Sequence, residues 1–426
     1  MLFKIVTILP VSIHYQIELS LFMTEKGQAS QQDISINKLK PGMYVVSVST
    51  GNNKLNVKSE GYILDDEGVN KLVKLGVNRV SVDPAREKQT GNIDKVMPEP
   101  VIDELHDEVS KVSLEHEMKQ ASRLYNNAKE LQQKMLSSIT EGRVIDLVEV
   151  QASTNAIVDS IFRNKDALSC MSRLRIKDEY LVEHSLNVSI LMTIFSKHLG
   201  FDRPRIEDLA LGAFLHDIGK VLVPDEILNK PGKFTQVEYE VMQEHVLLGL
   251  RVLEETPELS EVVISMVREH HERIDGTGYP YELEGDEISE YGLMIAIIDS
   301  YDAMTAERVY KPGMHPIKAF KNLIKDSPAC YDEALVEQFI QCLGVYPVGT
   351  LVCLNSGKIG LISKLNKSKP LTPCVRVFYN TRLKQAVAME EIDLSQSKYK
   401  DQIDRCIKPE EFNLNLVSFF KAAFID

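Results

Sequence analysis

The spacing of apolar residues predicts helices over the middle of the chain, from residue 98 to about residue 340. Two runs at the start of this region repeat every three or four residues: Ile102, Leu105, Val109 and Val112, then Leu124, Ala128, Leu131 and Met135. This period places each run on one face of a helix. Packing in a helical bundle is the simplest interpretation. Signal-relaying helices or a dimer seam remain open, although the heptads are too few to predict a coiled coil.

Shorter patterns on either side predict strands. Met43 to Val48 and Arg79 to Val82 are typical of strands, and the stretch from Gly68 to Leu75 suggests a short helix between them. Near the C-terminus, three further strands are expected around residues 349–354, 357–362 and 375–378, separated by turn residues.

These patterns predict a multidomain, mainly α protein. A helical domain carries a small α/β module in front of it and a small β module behind it. The expected boundaries are 1–24 for a leader or a mis-assigned start, 25–97 for the α/β module, 98–169 for connecting helices, 170–341 for the helical domain, 342–396 for the β module, and 397–426 for a helical or partly loose tail.

The first 22 residues are apolar but do not form a membrane-spanning run, because Lys4, Pro10, His14 and Glu18 interrupt them. A secretory signal is an alternative, yet no small-residue cleavage site follows the apolar stretch. A true start at Met23 is the expected explanation.

Composition and charge narrow the functional classes. The chain has 426 residues, 44% of them apolar, and a net charge of −13. Such a charge argues against a general nucleic-acid coat or an anionic membrane surface, which both need a basic excess. The six cysteines are dispersed without a Cys-x-x-Cys pair, so neither a disulfide framework nor a zinc knuckle is indicated. A cytoplasmic protein fits best.

An unusual pattern recurs on five predicted helices of the central region, where a titratable residue lies on the apolar face. These residues are His184, His216, His245, His270 and Asp299. One such histidine alone would be a hydrogen-bonded core residue. Burying so many titratable groups is costly unless they are paired or coordinated, and a shared metal centre would satisfy all of them.

The types of side chain indicate a catalytic rather than a structural metal site. Imidazole and carboxylate without thiolate suit Fe, Mn, Zn, Co or Ni better than a structural, sulfur-bound zinc. Asp217, beside His216, could bridge two divalent ions that share an activated hydroxide. With neutral histidines and ionised Asp217 and Asp299, such a centre carries a charge of about +1, which attracts a phosphodiester.

The ordered set of motifs resembles the HD-GYP branch of the HD phosphohydrolase superfamily over residues 170 to 340. It consists of His184, His216-Asp217 with Lys220, His245, His270-His271, the loop Gly278-Tyr279-Pro280, and Asp299. Residues 34 to 82 also resemble the small uncharacterised domain often found ahead of HD-GYP.

This resemblance implies hydrolysis of cyclic di-GMP to linear pGpG, with onward cleavage to GMP left open, at a di-iron or di-manganese centre. The metal ligands would be His184, His216, Asp217, His245, His270, His271 and Asp299. Lys220 would lie near the scissile phosphate, and Arg308 and Lys311 would contact substrate phosphate unless they are plain surface charge. The loop residues Asp275, Gly276, Gly278, Tyr279 and Pro280 would form a wall that contacts substrate or a partner protein, or would be an ordinary turn.

One position departs from the family pattern. Some members use a glutamate one turn before the first histidine to hold a third metal, but this chain has Tyr180 there, preceded by Glu179. Glu179 lies about 100° around the helix from the required direction. We therefore expect two metals and pGpG as the main product.

Two other functions stay open. A catalytically weak cyclic di-GMP receptor or protein-interaction scaffold would be expected to lack some ligands, whereas all seven positions are filled here. An HD phosphohydrolase acting on another nucleotide is disfavoured by the Gly-Tyr-Pro loop. Signalling partners of the N-terminal module or the loop, and a homodimer, are compatible with the sequence; DNA or RNA binding is not expected.

Overall fold

The computed structural model describes residues 32–40, 43–50, 61–62, 69, 73, 77–84, 112–173, 180–256, 259–307, 312–366, 368–412 and 414. The chain forms two compact units, Met1–Ile102 and Asp103–Asp426.

The N-terminal unit contains a four-stranded antiparallel sheet of order β1-β4-β2-β3. Its strands are β1 (Gln32–Ser35), β2 (Tyr44–Thr50), β3 (Gly61–Tyr62) and β4 (Val77–Asp83). Val45, Val80 and Val82 are buried in its small apolar core. Both predicted strands are confirmed as β2 and β4. Val69 and Val73 lie at helical positions, and the rest of the predicted helix falls outside the described residues.

The second unit begins with three helices, α1 (Leu114–Thr140), α2 (Leu147–Arg163) and α3 (Lys165–Met171). The hydroxyl of Ser113 and the carboxylate of Asp146 accept hydrogen bonds from backbone N–H groups at the starts of α1 and α2. The predicted apolar run from 124 to 135 lies within α1. Its residues Ala128 and Met135 belong to the same continuous core as the helices that follow, so the bundle interpretation is confirmed. The run from 102 to 111 lies outside the described residues.

The remaining helices surround this core. They are α4 (Tyr180–Leu199), α5 (Arg203–Leu215), α6 (Asp225–Leu228), α7 (Gln236–Gln243), α8 (His245–Glu254), α9 (Glu261–Glu269), α10 (Glu290–Thr305), α11 (Pro316–Asp326) and α12 (Glu333–Leu343), with a short 3-10 helix (Ile218–Leu222) between α5 and α6. Phe195, Tyr301 and Phe339 are buried at its centre. The ring of Phe339 makes edge-to-face contacts with the rings of Phe195, 5.3 Å away between centroids, and Tyr301, 5.2 Å away. In the described part of the chain, none of the helices has both the length and the apolar character that a bilayer crossing requires.

The C-terminal part forms a five-stranded antiparallel sheet of order β8-β7-β6-β5-β9. Its strands are β5 (Leu351–Leu354), β6 (Lys358–Lys364), β7 (Cys374–Asn380), β8 (Gln385–Asp393) and β9 (Ile403–Cys406). The mainly α, multidomain fold class is therefore confirmed.

One C-terminal prediction needs correction. We expected a helical or loose tail from residue 397, but Ile403–Cys406 is an edge strand in which Cys406 pairs with Val352 of β5. Only Cys406 is buried in this strand, while Asp404 and Arg405 are exposed. Four residues with this pattern lack the apolar alternation that identifies a strand, so its pairing with β5 depends on the tertiary structure.

Candidate metal centre

The predicted ligands lie mostly at the ends of helices rather than along their faces. His216 and His270 are the residues that end α5 and α9, and His245 is the first residue of α8. Asp217 then begins the 3-10 helix. His184 and Asp299 instead lie within α4 and α10. Four helix ends, at α5, the 3-10 helix, α8 and α9, and two positions within α4 and α10 thus bring side chains to one buried place.

A close approach between two of these segments depends on Gly219. A Cβ atom at this position would lie 1.9 Å from the carbonyl oxygen of His245 and 2.4 Å from the backbone nitrogen of Gly249. Only glycine lets the 3-10 helix pack so tightly against the start of α8. This packing brings Asp217 beside His245.

Asp217 lies at the centre of the cluster, between two groups of side chains. Together with His184 and His216 it forms one potential metal-ligand group, and together with His245, His270 and His271 it forms another. Its Oδ2 atom lies 3.3 Å from His216 Nε2, and its Oδ1 atom lies 3.5 Å from His245 Nε2. The two carboxylate oxygens therefore face different groups of histidines.

Asp299 completes the first group. Its Oδ1 atom lies 2.9 Å from His184 Nε2 and 3.9 Å from His216 Nε2, and its Oδ2 atom lies 3.7 Å from His271 Nδ1. All seven residues predicted as ligands are thus brought together in the structure.

Three of the imidazoles are oriented by the backbone. Nδ1 of His216, His245 and His270 lies 2.7–2.9 Å from the carbonyl oxygen three residues earlier, an arrangement in which Nδ1–H donates. The lone pair of Nε2 then points into the cluster, which is how metal-binding histidines are commonly held.

Asp302, which the sequence analysis did not include in the site, orients the fourth imidazole. It is fully buried, and its Oδ2 atom lies 2.7 Å from Nδ1 of His184. Asp302 lies one helical turn after Asp299 on the same face of α10. This spacing was the only signal in the sequence that could have identified it.

The electrostatics of the second group favour neutral imidazoles. Burial, with a contribution from the nearby Lys220 ammonium, lowers the pKa of His245 to about 3. Burial also lowers the pKa of His270, and burial together with His270 lowers the pKa of His271 well below its ordinary value. Neutral imidazole is the form that binds a metal ion.

The first group carries the negative charge. Burial would raise the pKa of Asp217, but His216 and Lys220 outweigh burial and hold it well below its usual range. Burial likewise opposes ionisation of Asp299, yet His184 keeps its pKa low. Burial lowers the pKa of His184, but Asp299 and Asp302 outweigh it and raise the pKa to about 9. Asp299 and Asp302 therefore favour a positive charge at the position of the His184 ring, which lies between them.

The donor set fits divalent cations. Nε2 of His245 and Nε2 of His270 lie only 3.2 Å apart, while Nδ1 of each faces a carbonyl oxygen. Two lone pairs directed at each other repel unless a cation lies near both. In addition, His216 Nε2 and Asp217 Oδ1 are buried and have no hydrogen-bond partner among the described residues. One cation in each group would satisfy these two atoms, at His216 Nε2 in the first group and at Asp217 Oδ1 in the second.

Lys220 approaches the cluster from the 3-10 helix. Its Nζ atom lies 2.5 Å from Asp217 Oδ2, and its side chain is 17% exposed. The ammonium group is therefore next to the central carboxylate and can still reach a molecule entering from solvent.

The Gly-Tyr-Pro loop is held by the backbone and by a buried carboxylate. A Cβ atom at Gly278 would lie 2.4 Å from the backbone nitrogen of Arg273, so glycine is required there. Glu272 is 2% exposed and accepts hydrogen bonds from the N–H groups of Tyr281 (2.8 Å) and Leu283 (3.1 Å). Glu272 has a structural role that the sequence analysis did not assign.

The loop residues differ in how close they come to the cluster. The ring of Tyr279 lies 4.6 Å from that of His271 and 6.2 Å from that of His245, measured between centroids. The exposed carboxylate of Asp275 instead accepts hydrogen bonds from Thr277 within the turn. Gly276 adopts a φ of +73°, and Pro280 follows Tyr279 through a cis peptide bond. Of these side chains, that of Tyr279 forms a wall of the centre.

Comparisons with known proteins agree with this architecture. An HD domain model matches residues 168–335, a domain of unknown function (DUF3391) matches residues 31–150, and a KOW domain associated with HD domain matches residues 351–415. The cyclic di-GMP phosphodiesterase PA4108 of Pseudomonas aeruginosa is 32% identical over 375 residues, which cover 87% of this chain and 90% of that protein. The chain belongs to the HD-GYP family of phosphodiesterases.

Two further relatives match shorter parts of this chain. A cyclic di-GMP phosphodiesterase of Thermotoga maritima is 33% identical over 43% of this chain and 50% of its own length. The 3'3'-cGAMP-specific phosphodiesterase 2 of Vibrio cholerae is 38% identical over 30% of this chain and 24% of its own length. The resemblance of residues 34 to 82 to a domain that precedes HD-GYP is also confirmed.

Some predicted residues of the HD-GYP site lie outside the described part of the chain. These are Arg308 and Lys311, which we expected to contact substrate phosphate. Glu179, which we did not expect to bind a metal, also lies outside the described residues. Tyr180 is the first residue of α4. The expectations for these residues stay predictions.

Proposed function

We propose that this HD-GYP protein hydrolyses cyclic di-GMP to linear pGpG with two divalent ions, iron or manganese. The observation that carries the proposal is the position of Asp217, whose two oxygens face two separate groups of histidines. Relatives named cyclic di-GMP phosphodiesterases support the choice of substrate.

In this proposal, Asp217 would be a ligand of both ions. His184, His216 and Asp299 would bind one ion, and His245, His270 and His271 the other. Two ions held in this way would supply Lewis acidity and an activated water molecule. The residues themselves exclude bulk water, because all except His271 are buried.

Lys220 would assist at the phosphate. Its ammonium lies beside Asp217 and is partly exposed, so it can approach a phosphate oxygen and stabilise the negative charge that develops during cleavage. We further propose that Arg308 and Lys311 bind substrate phosphate, Arg308 through a bidentate guanidinium contact. Replacing either by alanine is expected to raise KM, and an unchanged KM would exclude the role for that residue.

Product analysis provides the main test. Anaerobic reconstitution with Fe(II) or Mn(II), followed by chromatography of cyclic di-GMP reactions, is expected to give pGpG. Asp217→Asn should lose both turnover and bound metal, whereas Asp326→Asn, an exposed position at the end of α11, should retain both. A metal-loaded protein that forms neither pGpG nor GMP would instead support the receptor function.

Metal stoichiometry tests the two-metal arrangement separately. With Tyr180 at the position where some relatives have glutamate, we expect two ions per chain and little conversion of pGpG to GMP. Elemental analysis of folded protein is the measurement, and three ions per chain would contradict the proposal.

A second candidate substrate is 3'3'-cGAMP, because a relative named as specific for this dinucleotide is 38% identical over 30% of this chain. Competition between the two dinucleotides for the same enzyme would give the ratio of kcat/KM values. We expect this ratio to favour cyclic di-GMP, and a ratio below one would reverse the assignment.

The remaining expectations concern context. We propose residues 25–97 as a module for signalling partners, residues 170–341 as the catalytic domain, and the cytoplasm as the location, consistent with six free cysteines. Size measurements in solution would test the proposed homodimer.

A further inference from the structure

An exposed aromatic side chain lies beside the proposed metal centre. Tyr239 of α7 is 42% exposed, and its ring lies 6.2 Å from that of Tyr279 at an interplanar angle of 80°. Tyr279 in turn lies 4.6 Å from His271 at 32°. The two tyrosine rings form a nearly right-angled corner, and the ring of Tyr279 links this corner to the histidine cluster.

Helix α7, which carries Tyr239, does not bury an apolar face of its own. None of its residues is buried, and Val237 is 68% exposed. Phe234, just before the helix, is 36% exposed. The ring of Tyr239 therefore lies at the surface of the domain rather than in its apolar core.

The position of Tyr239 is nevertheless well defined. Thr235 and Glu238 form a reciprocal capping box at the start of α7, and Lys230 forms an ion pair with Glu238. Only Glu244 separates the end of α7 from His245, the first residue of α8. The ring is therefore held in a fixed relation to a predicted metal ligand.

We propose that Tyr239 stacks on a purine base of the substrate, with Tyr279 as the perpendicular wall of the same subsite. This inference rests on the proposed function, which puts the scissile phosphodiester at the histidine cluster. A nucleotide bound there carries its base away from the phosphate, toward the tyrosine corner. An aromatic ring with an exposed face is the usual partner for an unpaired base.

Kinetics provide the first test. Loss of one base-stacking contact is expected to raise KM about 5- to 150-fold in Tyr239→Ala. The kcat value and metal content should stay near those of the unmodified protein, because the ring of Tyr239 packs against Tyr279 rather than against a predicted ligand. Tyr239→Phe should restore KM, since it keeps the ring. An unchanged KM in a folded, metal-loaded Tyr239→Ala protein would overturn the proposal.

Fluorescence provides a second test that needs no turnover. The chain contains no tryptophan, so Tyr239→Trp introduces a single indole at the subsite. GMP is expected to quench its emission, whereas ribose 5-phosphate, which has the phosphate but no base, should not. Val237→Trp is the matched control, because it lies about 160° around the same helix; GMP should leave its emission unchanged.

The outcomes separate this inference from the proposed function. Suppose that GMP quenches the indole of the Tyr239→Trp protein, while the unmodified protein does not cleave cyclic di-GMP. This result would support the base subsite and refute the phosphodiesterase proposal. Suppose instead that the unmodified protein cleaves cyclic di-GMP, while GMP and ribose 5-phosphate change the emission of the Tyr239→Trp protein equally. This result would support the phosphodiesterase proposal and refute the base subsite.

Discussion

Asp302→Asn should weaken metal binding although Asp302 is not itself a predicted ligand. The carboxylate is fully buried, and its Oδ2 atom lies 2.7 Å from Nδ1 of His184, whose Nε2 faces Asp299 at 2.9 Å. Asparagine has nearly the same size, so the packing of α10 against α4 should survive. The substitution removes the negative charge that orients His184 and makes its Nε2 a stronger donor to a metal ion.

The expected loss of metal affinity follows from the contact of Asp302 with His184, a predicted ligand, rather than with the metal ion itself. Loss of such an outer hydrogen bond typically lowers metal affinity 10- to 100-fold, which corresponds to about 1.4–2.7 kcal/mol. We expect the upper part of this range, because Asp302 is buried and water cannot replace its charge.

Anaerobic titration with Mn(II) against a chromophoric chelator would measure the dissociation constants. Circular dichroism and the thermal midpoint of the metal-free proteins would verify that the fold is intact. Asp326→Asn removes the same charge from an exposed position and should bind Mn(II) like the unmodified protein. A Kd within twofold of that protein in folded Asp302→Asn would refute the reasoning.

Three further predictions concern the loop, the helical core and α7. Gly278→Ala would place a Cβ atom 2.4 Å from the backbone of Arg273, so thermal denaturation should show a loss of about 1–3 kcal/mol together with reduced turnover. Gly200→Ala is the control for turnover: its Cβ atom would meet nothing within 4 Å, but the φ of +83° strains alanine, so stability should fall while turnover is kept. Equal turnover in the two variants would contradict a requirement at Gly278. The buried Glu117 carboxylate accepts hydrogen bonds from Arg163 at 2.8 and 2.9 Å, and Arg163→Gln would remove its charge partner. Urea denaturation should show a loss of about 3 kcal/mol in the free energy of unfolding. A loss below about 1 kcal/mol would mean that the ion pair contributes little to stability. The hydrogen bond from Lys230 and that from the backbone of Thr235 lower the pKa of Glu238 to about 2, from an ordinary value of 4.5. Its ionised form therefore stabilises the fold above about pH 4.5, and this contribution is lost as the pH falls toward 2. The difference in the free energy of unfolding between the unmodified protein and Glu238→Gln should shrink as the pH falls over this range. A constant difference would exclude a stabilising role for ionised Glu238.

The amino-acid sequence was enough to predict the fold class and to nominate the side chains of the candidate site. Helical spacing predicted the central bundle, and alternating apolar residues predicted β2 and β4, because these periods reflect which face of each element is buried. Titratable residues on apolar faces pointed to a shared buried centre. The structure brings the seven predicted side chains together, and their role as ligands stays a proposal.

The ends of the helices and the contacts between them come from the tertiary structure. His216 and His270 directly follow α5 and α9, and no local pattern reveals that the 3-10 helix after His216 packs tightly against α8 at Gly219. Asp302, Glu272 and β9 gain their roles from partners that are distant in sequence or in other segments. The same holds for Tyr239, whose significance arises only from its distance to Tyr279. Sequence periodicity reports burial within one element, whereas a site depends on contacts between elements.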